Sequence, residues 1–186
     1  MIAGLERPDE GRVRVHPAAS VPAVVFQDPR LLPWMTVRRN LLLSLRRCPG
    51  APFSREETDE RVEEALHLVG LTGRAEAYPH ELSGGMAQRA GLARALCRRS
   101  GFLLMDEPFS ALDALTRGRL QQDLKQIWQK RNGTVLFITH DIPEAVYLAG
   151  RVLVMIAGRI VGDIPVGPSA ASEAEEAILT MMGTPA

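Results

Sequence analysis

Two cysteines in 186 residues leave this chain no disulfide framework, and Cys48 and Cys97 form neither a close pair nor a metal-like spacing. They read as buried or idle thiols of a reducing compartment. Net charge is missing as well: 22 lysines and arginines face 22 acidic residues. That argues against a nucleic-acid binder working through bulk positive charge, while a local basic patch stays open. No apolar run approaches the roughly 20 residues of a membrane span, and the N-terminus has no signal-peptide layout. The expectation is a cytosolic chain that, if it acts at a membrane, docks on another subunit. The phosphate-cradling pattern Gly-x-x-x-x-Gly-Lys-Ser/Thr occurs nowhere. What is present is an ordinary globular balance, 46% hydrophobic and 24% charged, in a chain long enough for one domain with a sizeable core.

The chemistry concentrates in residues 81–113, ELSGGMAQRAGLARALCRRSGFLLMDEPFSALD. Ser83 is placed to cap a following helix, and Gly84 and Gly85 carry no Cβ to hold a ligand off the backbone. The N–H groups of such a helix start suit a phosphate. The apolar run Phe102-Leu103-Leu104-Met105 reads as a buried strand that delivers Asp106 and Glu107 to a crevice at its C-terminal end. One carboxylate there suits Mg²⁺, and its neighbour suits polarising a water. The turn Ser110-Ala111-Leu112-Asp113 closes the stretch. Alone, Ser-Gly-Gly is an ordinary helix entry and Asp-Glu an ordinary solvated strand end. Their order in one run makes both bland readings improbable.

In that order the pieces resemble the signature motif, Walker B strand, catalytic glutamate and D-loop of an ABC-transporter ATPase subunit. The family's LSGGQ stands here as Leu82-Ser83-Gly84-Gly85-Met86, departing at the fifth position. Met is a tolerable variant there, because the serine and the glycines carry the phosphate contact.

The rest of the chain falls into place around this run. Residues 1–5 and the turn at 6–11 resemble the end of the family's first helix, and residues 12–15 could form a strand. The family's phosphate loop and its adenine-stacking aromatic are expected upstream of Met1, so the sequence is expected to start inside the domain. Residues 21–26 read as a strand ending at Gln27, which resembles the Q-loop glutamine that contacts Mg²⁺ and the attacking water. Residues 31–37, with Trp34, resemble the stretch that faces a membrane subunit in importer ATPases. Residues 36–45 suit a helix. Ser54 with Glu57 makes a capping-box pattern, and Val62, Ala65, Leu66 and Val69 recur at helical spacing before Gly70. His67 and His80 read as surface residues.

After Asp113, a long helix carries Leu120, Leu124 and Ile127 on one face and breaks at Asn132-Gly133. Residues 134–139 read as a second buried strand. His140 at its end resembles the H-switch that senses the γ-phosphate, and Asp141 is placed to cap the next helix. Residues 151–156 and 159–166 read as a hairpin. The tail from Gly167 is Ser/Ala/Glu-rich, with one short helical piece at 177–181.

The resemblance implies an α/β fold, a P-loop NTPase-like ABC ATPase core with an inserted helical subdomain and without its N-terminal Walker A segment. The expected parts are a partial core at 1–33, a helical subdomain at 34–99, further core at 100–166 and a tail at 167–186. It also implies an ATP-hydrolysing subunit of an importer of nitrate, sulfonate or taurine type, a subgroup suggested by residues 113–117 and 139–145. The implied cofactors are ATP and Mg²⁺. Asp106 and Gln27 would hold the metal, and Glu107 and His140 would be catalytic. Gln27, Ser83, Gly84, Gly85 and Asp113 would contact nucleotide. The implied partners are permease subunits, a second ATPase subunit in a homodimer and, indirectly, a solute-binding protein, with no nucleic acid. The implied place is the cytoplasmic face of the membrane. Lacking the phosphate loop, these 186 residues alone are expected to bind ATP·Mg²⁺ poorly. A non-catalytic remnant and a DNA-repair ABC ATPase stand as alternatives.

Overall fold

Three apolar runs far apart in the chain pair into one parallel sheet in the computed structural model: β1 (Ala23–Val25), β2 (Phe102–Asp106) and β3 (Thr134–Ile138), in the order β1-β2-β3. Parallel neighbours need long crossovers. Here α1 (Val37–Leu45), α2 (Arg55–Leu68) and α3 (Gly84–Leu96) fill the connection from β1 to β2, and α4 (Ala114–Lys130) that from β2 to β3. The register sets Val25 beside Met105 and Asp106 beside Ile138, so the C-terminal ends of all three strands share one sheet edge. The structure describes residues 2–15, 21–46, 48, 50–130, 133–167 and 170–183. They divide into two units, Met1–Ile138 and Thr139–Ala186.

In the first unit each helix starts on a short polar side chain. The hydroxyls of Thr36, Ser54 and Ser83 accept from the backbone N–H three residues on, as does the Asp113 carboxylate at the start of α4. The capping box at Ser54 forms only by half. The Glu57 carboxylate turns instead to Arg61 one helical turn on, at 2.7 Å. Gly70, at φ +65°, lies just past the end of α2 in the left-handed conformation that suits glycine. Val37, Leu41, Val62, Leu66, Leu92 and Ala93 are at most 1% exposed and make the helical core. Cys48 and Cys97 are buried in it, and burial pushes the Cys97 thiol up to about 11.

Two sequence expectations change here. Residues 12–15 form no strand and are exposed. Strand β3 is not buried: Leu136 is 38% and Ile138 64% exposed. Among the described residues β3 has one neighbour, β2, and stands at the sheet edge. The helix break expected at Asn132-Gly133 lies partly outside the described residues.

The second unit holds α5 (Ile142–Leu148), the antiparallel hairpin β4 (Arg151–Ile156) and β5 (Arg159–Pro165), and α6 (Ala171–Met181). Asp141 caps α5 by accepting from Glu144 N–H at 3.0 Å. Val146, Val154, Ala174 and Ile178 form its small core. The tail therefore carries a longer helix than the short piece at 177–181, because Ala174 and Ile178 pay for its ordering with buried apolar surface.

Candidate functional site

The sheet edge of the first unit brings two distant side chains together. Gln27, two residues past β1, donates its Nε2 amide hydrogen to Glu107 Oε2 at 3.1 Å. Glu107 directly follows β2, and its N–H donates to Ile138 O at 2.9 Å, adding one more rung to the β2–β3 pairing. At φ +44°, Glu107 sits in the left-handed region, which costs a non-glycine residue about 1–2 kcal/mol. The following turn holds it there: Glu107 O accepts from Ser110 N at 3.3 Å and from Ser110 Oγ at 3.0 Å. Phe109, 1% exposed, anchors that turn in the core. The chain thus leaves the strand abruptly at the residue whose carboxylate meets Gln27.

Asp106, the last residue of β2, is exposed at the same edge. Among the described residues no group of three or more His, Cys, Asp or Glu side chains could hold a metal by itself. Mg²⁺ commonly takes one or two carboxylates and completes its shell with phosphates and water. The donor set fits such an ion: Asp106 offers carboxylate oxygens. Because Gln27 gives its amide nitrogen to Glu107, the amide atom suited to a hard cation is Oε1.

The start of α3 lies against the turn that leads into α4. A Cβ on Gly85 would stand 3.0 Å from Ala111 O and 3.5 Å from Leu112 Cδ2, whereas a Cβ on Gly84 would meet nothing within 4 Å. The two glycines therefore differ: Gly85 permits close packing inside the unit, and Gly84 opens on space. Ser83 is exposed, and its hydroxyl accepts from Met86 N–H at 3.3 Å. Asp113 caps α4 through Thr116 N–H at 3.0 Å, and that backbone hydrogen bond holds its carboxyl below the usual carboxylate range. Gln27, Ser83, Gly84, Gly85, Asp106, Glu107 and Asp113 all belong to the first unit. His140 belongs to the second, exposed between Thr139 and Asp141, where Asp141 N–H donates to Thr139 Oγ1 at 3.0 Å.

Sequence reasoning missed the residues behind this edge. Gln88, 2% exposed, points its amide at Phe26 O (3.5 Å), and Arg94 donates to Pro29 O (2.6 Å) and Arg30 O (2.7 Å). Burial pulls the Arg94 guanidinium down from its ordinary range. The available signal was polar and small residues at three-residue intervals, Gln88, Gly91 and Arg94, on a helix rich in alanine and leucine.

Known proteins resemble this chain in sequence and fold. Residues 1–110 match the family model described as ABC transporter. An aliphatic sulfonates import ATP-binding protein of Granulibacter bethesdensis is 48% identical over 163 residues, covering 88% of this chain and 64% of that protein. One from Streptomyces avermitilis is 52% identical over 162 residues, covering 86% and 57%. The chain thus spans about three-fifths of the length of these curated relatives, 57% to 64%. Among solved structures, the dimeric post-hydrolysis state of the ATP-binding cassette MJ0796, bound to ADP and Pi, matches with a TM-score of 0.71 at 33% identity. That match covers 78% of this chain and 62% of the other.

Proposed function

The chain belongs to the ABC transporter family, and we propose that it is the ATP-hydrolysing subunit of an importer of small anions, aliphatic sulfonates before nitrate or taurine. The sulfonate preference rests on the names of the relatives that share about half of its residues. The observation that carries the catalytic half is the Gln27–Glu107 hydrogen bond, which joins residues from the ends of adjacent parallel strands.

In this reading Glu107 accepts a proton from the attacking water, and the Gln27 amide fixes the carboxylate in the orientation that does so. Asp106 and Gln27 Oε1 would hold Mg²⁺, which would supply neutralisation of phosphate charge. Phosphoryl transfer asks little covalent chemistry of a protein and depends on positioning and charge stabilisation. Ser83, Gly84 and Gly85 serve nucleotide on a second copy of the chain, as the open space beside Gly84 allows. Asp113 lies on the same contact, and His140 senses the γ-phosphate. Residues 34–99 act as the helical subdomain between core segments at 1–33 and 100–166. The partners are permease subunits, reached at the cytoplasmic face of the membrane, and through them a solute-binding protein.

The test is Glu107→Gln in the protein as its gene encodes it. Loss of a general base costs about 10²–10⁴-fold in rate. ATP turnover is expected to fall by that much, with ATP affinity retained. Near-normal turnover overturns the assignment. For the substrate, cells deleted for the gene should lose uptake of a labelled alkanesulfonate. Loss of nitrate uptake instead would reassign it.

A further inference from the structure

The loop that carries Gln27 is fastened to α3 on both sides of that residue. Before it, Phe26 O faces the buried Gln88 amide at 3.5 Å. After it, Gly91 approaches Pro29 so closely that a Cβ would stand 3.3 Å from Pro29 Cα, and Arg94 reaches Pro29 O and Arg30 O. Gln88, Gly91 and Arg94 follow one another at three-residue steps, so a single stripe of α3 grips residues 26, 29 and 30. Between these grips the chain bends at Gln27 and Asp28, which form a bow. The bow is tight. Arg30 is at φ +48°, and its N–H donates to Asp28 Oδ1 at 3.1 Å.

Arg94 is the strongest of the three grips. Among the described residues both of its hydrogen bonds go to backbone carbonyls of this loop, at 2.6 and 2.7 Å. A guanidinium presents its donors in a fixed planar fork, so two carbonyls bound at once set the direction of the peptide groups as well as their distance. The charge strengthens both bonds. A lysine ammonium, a point donor on a flexible stem, cannot reproduce that fork.

We propose that Arg94 is a positioning residue for Gln27: by clamping the carbonyls of Pro29 and Arg30 it holds the loop in the bow that places the Gln27 amide against Glu107. The proposal rests on the reading of Glu107 as the hydrolytic base. Arg94 contacts neither nucleotide nor water in this role and acts only through the loop. Because Ser83 caps α3, the same helix ties the signature serine to the glutamine beside the base.

The test is a double-mutant cycle on ATP turnover in the protein as its gene encodes it, with wild type, Arg94→Met, Gln27→Ala and the double variant. A misplacement of about 1 Å can cost on the order of 10²-fold. Arg94→Met is therefore expected to lower kcat by roughly 10- to 100-fold, with the KM for ATP within about threefold of wild type. In the Gln27→Ala background the same substitution is expected to cost nothing further, since the group it positions is gone. Arg94→Lys should recover little. Multiplying effects in the double variant would show a general structural role and overturn the proposal, as would wild-type kcat in Arg94→Met. Should Arg94→Met fail to fold, hydrogen exchange in Arg94→Lys decides. Faster exchange at the Gln27, Asp28 and Arg30 amides, with α1 and α2 unchanged, is expected, and unchanged loop exchange overturns the proposal. Glu107→Gln separates the two readings. If that variant turns over normally, the base assignment fails, whereas a dead Glu107→Gln beside a normal Arg94→Met sinks only the clamp.

Discussion

The end of β2 and the start of α3 both carry groups suited to nucleotide chemistry, and the unit treats them in opposite ways. Glu107 is satisfied from several directions within its own unit: the Gln27 amide on its carboxylate, Ile138 O on its N–H, and Ser110 on its carbonyl. At the start of α3, the Ser83 hydroxyl accepts from its own helix, and the space beside Gly84 holds no neighbour within 4 Å of a would-be Cβ. One end is preorganised from inside, which suits the proton acceptor that the proposed function makes of it. The other faces outward, which suits a surface completed by something else. In the proposed function that something is nucleotide on a second copy, so one chain would hold half of each of two sites.

The largest effect that could break this contrast is the loss of nucleotide-driven dimerisation. Ser83→Arg fills the space beside Gly84 with a long side chain. We expect ATP no longer to shift a hydrolysis-deficient Glu107→Gln protein to dimer in size-exclusion chromatography, while thermal unfolding shows an intact monomer. An unchanged dimer peak would mean that the outward face serves another purpose.

A smaller effect separates the two glycines. Gly85→Ala forces a methyl to 3.0 Å from Ala111 O, and overpacking of this kind costs typically about 1–3 kcal/mol. Gly84→Ala meets nothing and, as the first residue of α3, gains part of the about 1 kcal/mol by which alanine exceeds glycine in a helix interior. Denaturant unfolding of the pair should therefore move in opposite directions. Equal destabilisation would erase the distinction between the packed glycine and the open one.

The smallest effect belongs to Asp113. Its replacement by alanine should lower the unfolding midpoint slightly through the lost α4 cap. Hydrogen bonding holds its folded pKa below the unfolded value. The contribution is therefore fully present above the unfolded pKa of about 3.9 and fades as pH falls through the lower folded value. Wild type and variant should converge in acid, and a pH-independent gap would deny the carboxylate its role.

The α/β architecture was legible through the family resemblance, and the helix caps because they are local. Ser54, Ser83 and Asp141 precede amphipathic runs, and each accepts from the N–H three residues on. Apolar runs marked β2 and β3 as strands, but apolarity does not say how many neighbours a strand has. Phe102 to Met105 are at most 9% exposed between two strands, while Ile138 on the edge strand is 64% exposed. The sequence motif marked Gln27 and Glu107 without showing that they touch. That contact spans 80 positions in the chain, and the loop that carries Gln27 is held by Gln88, Gly91 and Arg94, whose three-residue spacing on α3 does not say which loop they meet. The contrast between Gly84 and Gly85 was likewise invisible, because it depends on where Ala111 lies.

If Glu107 is the base, its left-handed backbone sets thermal robustness against activity at a single position. The conformation costs a side-chain-bearing residue about 1–2 kcal/mol that glycine would not lose, yet glycine has no carboxylate for Gln27 to orient. On the proposed reading of Glu107 as the base, a glycine there would relieve the backbone and remove the group that accepts the proton. On that reading, a replacement chosen for backbone comfort alone would cost activity.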